Sequence, residues 1–187
     1  LGAGQTTGSR GTLMAAGGVA DACRVANENN QAPGVDYYGE YRVDWTNALE
    51  DEVENPILHS AFGYACQVVV ADRATGEIEK VIAAHDVGRA INPMLAEGQI
   101  EGAVHMGVGY ALTEEFPTDE LARPTKHTLR SLGIIRAKDM PDVETIIVEV
   151  PQPRSPFGVK GVGEIGLVPT AGAIAAALYE VDGVRRT

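Results

Sequence analysis

The run Gly158-Val-Lys-Gly-Val-Gly-Glu164 sets one carboxylate at the end of a glycine-rich turn that leads into an apolar, alanine-rich segment. Glycines at 158, 161 and 163 allow positive φ and let a ligand come close to the backbone, which side chains would otherwise prevent. Amides exposed in such a loop favour anions. A glutamate buried or half-buried at the rim would have its charged form disfavoured, which makes it a better proton acceptor near neutrality. Glu164 is therefore a candidate general base. The alternative is an ordinary connector in which Glu164 is a solvated loop residue. No Lys-Ser/Thr follows the last glycine, so this is not a P-loop. Gly161-Val-Gly163 also lacks the third glycine of a dinucleotide-binding fingerprint.

The elements that must position this turn follow from periodicity and punctuation. Pro169-Thr170 opens a helix that runs to Glu180, with proline in its first turn. Residues 2–12 are rich in Gly, Thr and Ser and lead into a helix from Leu13 to about Glu28. Pro33-Gly34 marks a turn, and Tyr37 to Trp45 alternates as a strand would. Phe62 to Asp72 and Glu77 to Asp86 read as two strands joined through Ala74-Thr75-Gly76-Glu77, a hairpin. Asn92-Pro93 opens a long helix from about Met94 to Glu115 that contains Gly98, Gly102, Gly107 and Gly109. Each glycine costs about 1 kcal/mol against alanine, so something must approach that helix closely. Val143 to Val150 is a further strand. The expected fold is α+β, a mostly antiparallel sheet with packed helices, in which the loops Gly4–Thr12, Asn92–Gln99 and Gly158–Glu164 meet at one edge.

Composition narrows the function. The 187 residues suffice for one domain or two small ones with a real core. A formal net charge of −11 repels phosphate backbones and acidic membrane surfaces, which argues against nucleic acid or a membrane as partner. The longest apolar runs fall short of the roughly 20 residues that span a bilayer. Cys23 and Cys66 are too few for a disulfide framework and read as small buried hydrophobes, which favours a reducing, cytoplasmic setting. His59, His85, His105 and His127 are scattered without zinc-like spacing. The abrupt ends, Leu1-Gly2-Ala3-Gly4 and Arg185-Arg186-Thr187, read as those of a fragment.

Together, Thr7-Gly-Ser-Arg-Gly-Thr12, Asp86-Val-Gly-Arg-Ala-Ile-Asn-Pro93, Gly98-Gln-Ile-Glu-Gly102, Gly107-Val-Gly-Tyr-Ala-Leu-Thr-Glu-Glu115 and Lys160-Gly-Val-Gly-Glu164 resemble the C-terminal molybdopterin-binding region of the xanthine dehydrogenase and aldehyde oxidase family. The likeness covers nearly all of residues 1–187. It implies a molybdenum-pyranopterin cofactor (molybdopterin or its cytosine dinucleotide), with no metal ligand from a protein side chain. Glu164 would take the proton from the hydroxide on the metal, so that its oxygen attacks an electron-poor carbon of an aldehyde or a purine-like heterocycle. Water is then the oxygen source, and a small molecule is the substrate.

By the same resemblance, Gly8, Ser9 and Arg10 would contact the cofactor through amides, a hydroxyl and a guanidinium able to pair with an anion. Gln99 would hydrogen-bond the pterin or a ligand of the metal. Lys160, Gly161, Val162 and Gly163 complete the contact. The plainer alternatives are Ser9 or Thr12 as a helix N-cap, Gln99 as a helix residue facing water, and Lys160 as a solvated loop residue. Arg89 and Asp86 could form an ion pair of little energetic consequence. Met106-Gly107 stands where many members of the resembled family have Gln-Gly, so an amide role there is lost or moved. The family's first molybdopterin domain and its iron–sulfur and flavin (FAD) modules are missing. They are expected on partner domains or subunits of an oligomeric enzyme, and the isolated chain is expected to be inactive. A non-catalytic module binding an anion or cofactor is the alternative function. A purely structural oligomerisation domain would account for the glycine-rich helix alone.

Overall fold

A computed structural model describes residues 5–186; residues 1–4 and Thr187, with the first part of the Gly4–Thr12 loop, lie outside the described residues. The chain divides into two compact units. One comprises residues 1–63, 86–91 and 149–161; the other comprises 64–85, 92–148 and 162–187.

In the first unit a π-helical turn, Thr12–Ala16, leads into α1, Gly17–Glu28. No side chain caps this start, so the N-cap expected of Ser9 or Thr12 is not formed. Ser9 instead has left-handed backbone, φ 57°. Tyr37–Trp45 is not a strand, because it lies against a helix and has no ladder partner. A Cβ on Gly39 would run into the backbone of Gly18 and Ala22, and one on Gly17 into the Tyr41 ring. Glu40 N–H donates to Asp21 (3.0 Å). That bond and the Arg24 guanidinium hold the Asp21 carboxyl below its usual range. Contact with a helix satisfies this segment, where the alternation of side chains suggested a sheet.

The second unit holds the sheet. Strand β1 (Ala65–Ala71) pairs antiparallel with β2 (Ile78–Asp86), and β3 (Asp142–Val148) lies on the other side of β2 in a mixed three-stranded sheet. The expected antiparallel pairing thus holds for the hairpin. Asp72 accepts from the amides of Ala74 and Thr75, and Gly76 takes φ +75°, which closes the turn. Register puts Gln67 opposite Ala83 and Ala65 opposite His85 on one face, and Cys66 opposite Ala84 and Val68 opposite Ile82 on the other. Helices α2 (Pro93–Leu112) and α3 (Thr170–Asp182) pack on each other, α2 also against β3 and α3 against β1. The core includes Val81, Ala83, Ile100, Val104, Val108 and Ile174. Cys66 and Cys23 are exposed rather than buried, Cys66 because the register turns it to the sheet face away from Gln67.

The start of α2 forms as its sequence dictates: Asn92 Oδ1 accepts from Leu95 N–H (3.2 Å), with proline at the first position. The helix ends at Leu112, three residues before the expected Glu115. Its glycines divide into two kinds. A Cβ on Gly107 would overlap the Thr170 side chain, and one on Gly109 would crowd Glu114. Gly98 and Gly102 face open space. No helix among the described residues is long and apolar enough to cross a membrane.

Candidate functional site

Within the first unit the glycine-rich turn is anchored from below by an ion pair that sequence reading does not assign. Asp86 ends β2, and its Oδ2 receives Lys160 Nζ at 2.6 Å, with the two side chains only 6% and 8% exposed. The other carboxylate oxygen accepts from Gly88 N–H (3.0 Å). Lys160 N–H donates to Val87 O, and Arg89 N–H to Gly158 O, which stitches 86–91 to 158–160. Lys160 is therefore a buried structural cation and not a solvated one. Arg89 is exposed and is not the partner of Asp86. Of the three glycines expected to take positive φ only Gly158 does, at 74°. Gly161 serves by close approach, since a Cβ there would lie 2.8 Å from Ser9 Cβ.

That approach brings two of the expected cofactor segments together. Gly8 and Ser9 have consecutive left-handed backbones, φ 56° and 57°, beside Gly161. Among the described residues the amide N–H groups of Ser9 and Gly161 have no hydrogen-bond partner. Gly161 is thus in close contact with the Gly8-Ser9 turn, which leaves no room for a side chain at 161, while Gly8 faces open space and the two amides are able to donate hydrogen bonds. Arg10 contributes less than expected, because Nε (2.9 Å) and Nη2 (2.6 Å) both donate to Gln5 O. Its fork is largely used within its own loop.

The second unit contains the candidate base. Glu164 lies in a run of turns, 163–169, that enters α3, with Leu167 N–H donating to Glu164 O (3.3 Å). Its side chain is exposed, so its own unit does not provide the burial that the sequence reading asks of it. Two residues on, Gly166 is buried against α2: a Cβ there would lie 2.6 Å from Ala103 Cβ and 3.3 Å from Ile100 O. Ile100 follows Gln99. The Glu164 turn is thus seated on α2 at Ile100 and Ala103; Gln99, Gly102 and Met106 of the same helix are exposed. Val162 precedes the turn without regular structure, and Gly163 is its first residue.

Beneath that turn lies a polar group that the sequence does not reveal. The Gly166 carbonyl accepts from Thr170 Oγ1 (3.1 Å) and from Gln67 Nε2 (2.9 Å). Gln67 Nε2 is also 3.2 Å from Nε2 of His85, which is fully buried, and burial pushes the His85 pKa down. The available signals are slight: one amide in the apolar strand Ala-Cys-Gln-Val-Val-Val-Ala, and His85-Asp86 following the apolar run Val81-Ile-Ala-Ala84.

The model of the molybdopterin cofactor-binding domain matches residues 25–141. The chain belongs to that family. Gln99 and Asp86 fall inside the matched stretch, while Gly8–Arg10 and Lys160–Glu164 lie outside it. A putative xanthine dehydrogenase molybdenum-binding subunit of Escherichia coli (strain K12) is 36% identical over 140 residues, which are 73% of this chain and 19% of that protein. The aldehyde oxidoreductase molybdenum-binding subunit of the same organism is 38% identical over 116 residues, 60% of this chain and 16% of that one. The solved structure of the aldehyde oxidoreductase from Desulfovibrio gigas is similar at a TM-score of 0.81 and 27% identity, over 98% of this chain and 22% of that one. The chain therefore spans about a fifth of the length of the relatives it matches.

The residues present fit a pterin. Adjoining amides at Ser9 and Gly161 without partners among the described residues suit a heteroaromatic group with several hydrogen-bonding edges, or its phosphate. In the second unit, taken by itself, an exposed Gln99 amide beside the open Gly98 and Gly102 backbone has the hydrogen-bonding chemistry that a pterin edge takes.

Proposed function

We propose that this chain is the part of a molybdenum-dependent oxidoreductase of the xanthine dehydrogenase and aldehyde oxidase type that holds one side of the pyranopterin and carries the catalytic base. The observation that carries this is the seating of the Glu164 turn on α2 through Gly166, against Ala103 and Ile100, the residue after Gln99, with the Glu164 side chain exposed. Ser9, Gly161 and Gln99 bind and orient the cofactor through hydrogen bonds, while Gly8, Val162 and Gly163 leave it room. Lys160 acts at one remove, holding the turn through Asp86. When bound, the cofactor supplies two-electron oxidation, with water as the source of the transferred oxygen. A Glu164 carboxylate oxygen takes the proton from the attacking hydroxyl, which makes that oxygen a competent nucleophile toward an electron-poor carbon of an aldehyde or a purine-like heterocycle.

The remaining molybdopterin domain and the iron–sulfur and flavin groups belong to other domains or subunits of an oligomeric cytoplasmic enzyme in this proposal. One relative, at 35% identity over 135 residues, is named as subunit gamma of a 6-hydroxypseudooxynicotine dehydrogenase complex in Paenarthrobacter nicotinovorans, which supports assembly with partners. The test is Glu164→Gln in the intact protein. Molybdenum content by mass spectrometry should match wild type, while oxidation of a panel of heterocycles and aldehydes is lost. Turnover that survives in this variant would remove Glu164 as the base, and wild-type protein without molybdenum would leave only a non-catalytic binding module.

A further inference from the structure

The Gly166 carbonyl is held by two donors, and one of them is an amide whose own orientation is set from below. Gln67 Nε2 has two hydrogens and two neighbours in reach, Gly166 O at 2.9 Å and His85 Nε2 at 3.2 Å. Both bonds form only if His85 Nε2 is unprotonated and accepts, which puts the imidazole proton on Nδ1. Gln67 Oε1 and His85 Nδ1 are then buried with no partner among the described residues. Each such orphan is costly, and turning the amide over to relieve one would set Oε1 against the Gly166 carbonyl oxygen. The arrangement gives up two hydrogen bonds to keep an N–H on Gly166.

We propose that Gln67, oriented by the unprotonated Nε2 of His85, is a positioning residue that fixes the Glu164 turn on α2 and so sets where the Glu164 carboxylate stands. The chain of contacts is continuous within the second unit. His85 sets the amide of Gln67, Gln67 and Thr170 hold Gly166 O, and Gly166 packs on Ile100 two residues after Glu164. Gln67 reaches this place because the register of β1 and β2 turns it to the face that carries Ala65 and His85. Nothing exposed in the sequence marks it, and it touches neither substrate nor cofactor in this proposal.

The inference rests on Glu164 being the base, and its test separates the two ideas. Gln67→Met keeps length and apolar bulk but removes the donor. In the intact, molybdenum-loaded protein, hydrogen–deuterium exchange over residues 164–170 should quicken by about threefold to tenfold, the effect of losing one ordinary hydrogen bond, while segments elsewhere keep their rates. With molybdenum content unchanged, kcat should fall by about tenfold to a hundredfold at constant KM, as for a misplaced base. Exchange and kcat both at wild-type values would overturn the proposal. If Gln67→Met does not fold, His85→Phe leaves Gln67 its bond to Gly166 but frees the amide to turn, and it should still quicken exchange over 164–170; wild-type exchange there would equally overturn it. Failure of the underlying reading shows differently, as full activity in Glu164→Gln, and leaves the exchange result standing.

Discussion

Replacing Asp86 by asparagine should destabilise the first unit far more than the loss of an ordinary ion pair. The Asp86 and Lys160 side chains are 6% and 8% exposed, and their charged atoms lie 2.6 Å apart. At an effective dielectric near 20 that separation corresponds to about 6 kcal/mol of gross attraction, which offsets the desolvation of both ions. The substitution leaves the Lys160 ammonium buried without a counter-charge, and breaking such a pair costs about 3–5 kcal/mol. Domains of ordinary stability have only about 5–15 kcal/mol in all. With an m-value of about 2 kcal/mol/M, the urea midpoint should fall by about 2 M in equilibrium unfolding followed by circular dichroism. Lys160→Met should cost a similar amount. The double variant Asp86→Asn, Lys160→Met should return to within about 1 kcal/mol of wild type, because no uncompensated ion remains. Single variants that lose less than about 1 kcal/mol, as exposed pairs do, would refute the buried-pair argument.

The glycines of α2 should behave in opposite ways. Gly107→Ala drives a methyl into Thr170 and should cost about 1–3 kcal/mol by overpacking. Gly102→Ala meets open space and should stabilise the fold by about 1 kcal/mol, yet lower the molybdenum content of the intact protein if the cofactor reaches that face. His85 gives a pH signature. Burial holds its folded pKa below the ordinary 6.5, so between the two values the unfolded chain binds a proton that the folded chain does not. Its contribution to stability is therefore complete above about pH 6.5 and is lost as pH falls below that value. Urea midpoints compared at neutral and mildly acidic pH should show this loss in wild type and less of it in His85→Phe; equal slopes in the two proteins would contradict it.

Local chemistry makes much of the fold legible in the sequence. Asn92-Pro93 caps and opens α2, Ala74-Thr75-Gly76-Glu77 closes the hairpin, and Pro169-Thr170 starts α3, each close to where local rules put it. The region 37–45 misleads because alternation reports only which side chains are covered, and a helix can cover them as well as a sheet can. The glycine-rich turn and its lone carboxylate draw attention to Glu164 by residue type and spacing, whereas Gln99 and the Gly8–Arg10 loop stand out only through the family resemblance.

Three decisions belong to the tertiary structure. Sequence reading sets Lys160 among the cofactor contacts, with a solvated loop residue as the alternative, and offers Arg89 as the partner of Asp86, but which cation meets a buried carboxylate depends on how segments 74 residues apart are stitched together. It also puts Cys66 inside and gives Gln67 no role, and strand register alone decides which of two neighbours faces the core. The hold of Gln67 on Gly166 spans 99 residues. A sequence determines each residue's chemistry and its nearest turns, whereas contacts at such separations exist only once the chain has closed its loops, and no local pattern encodes them.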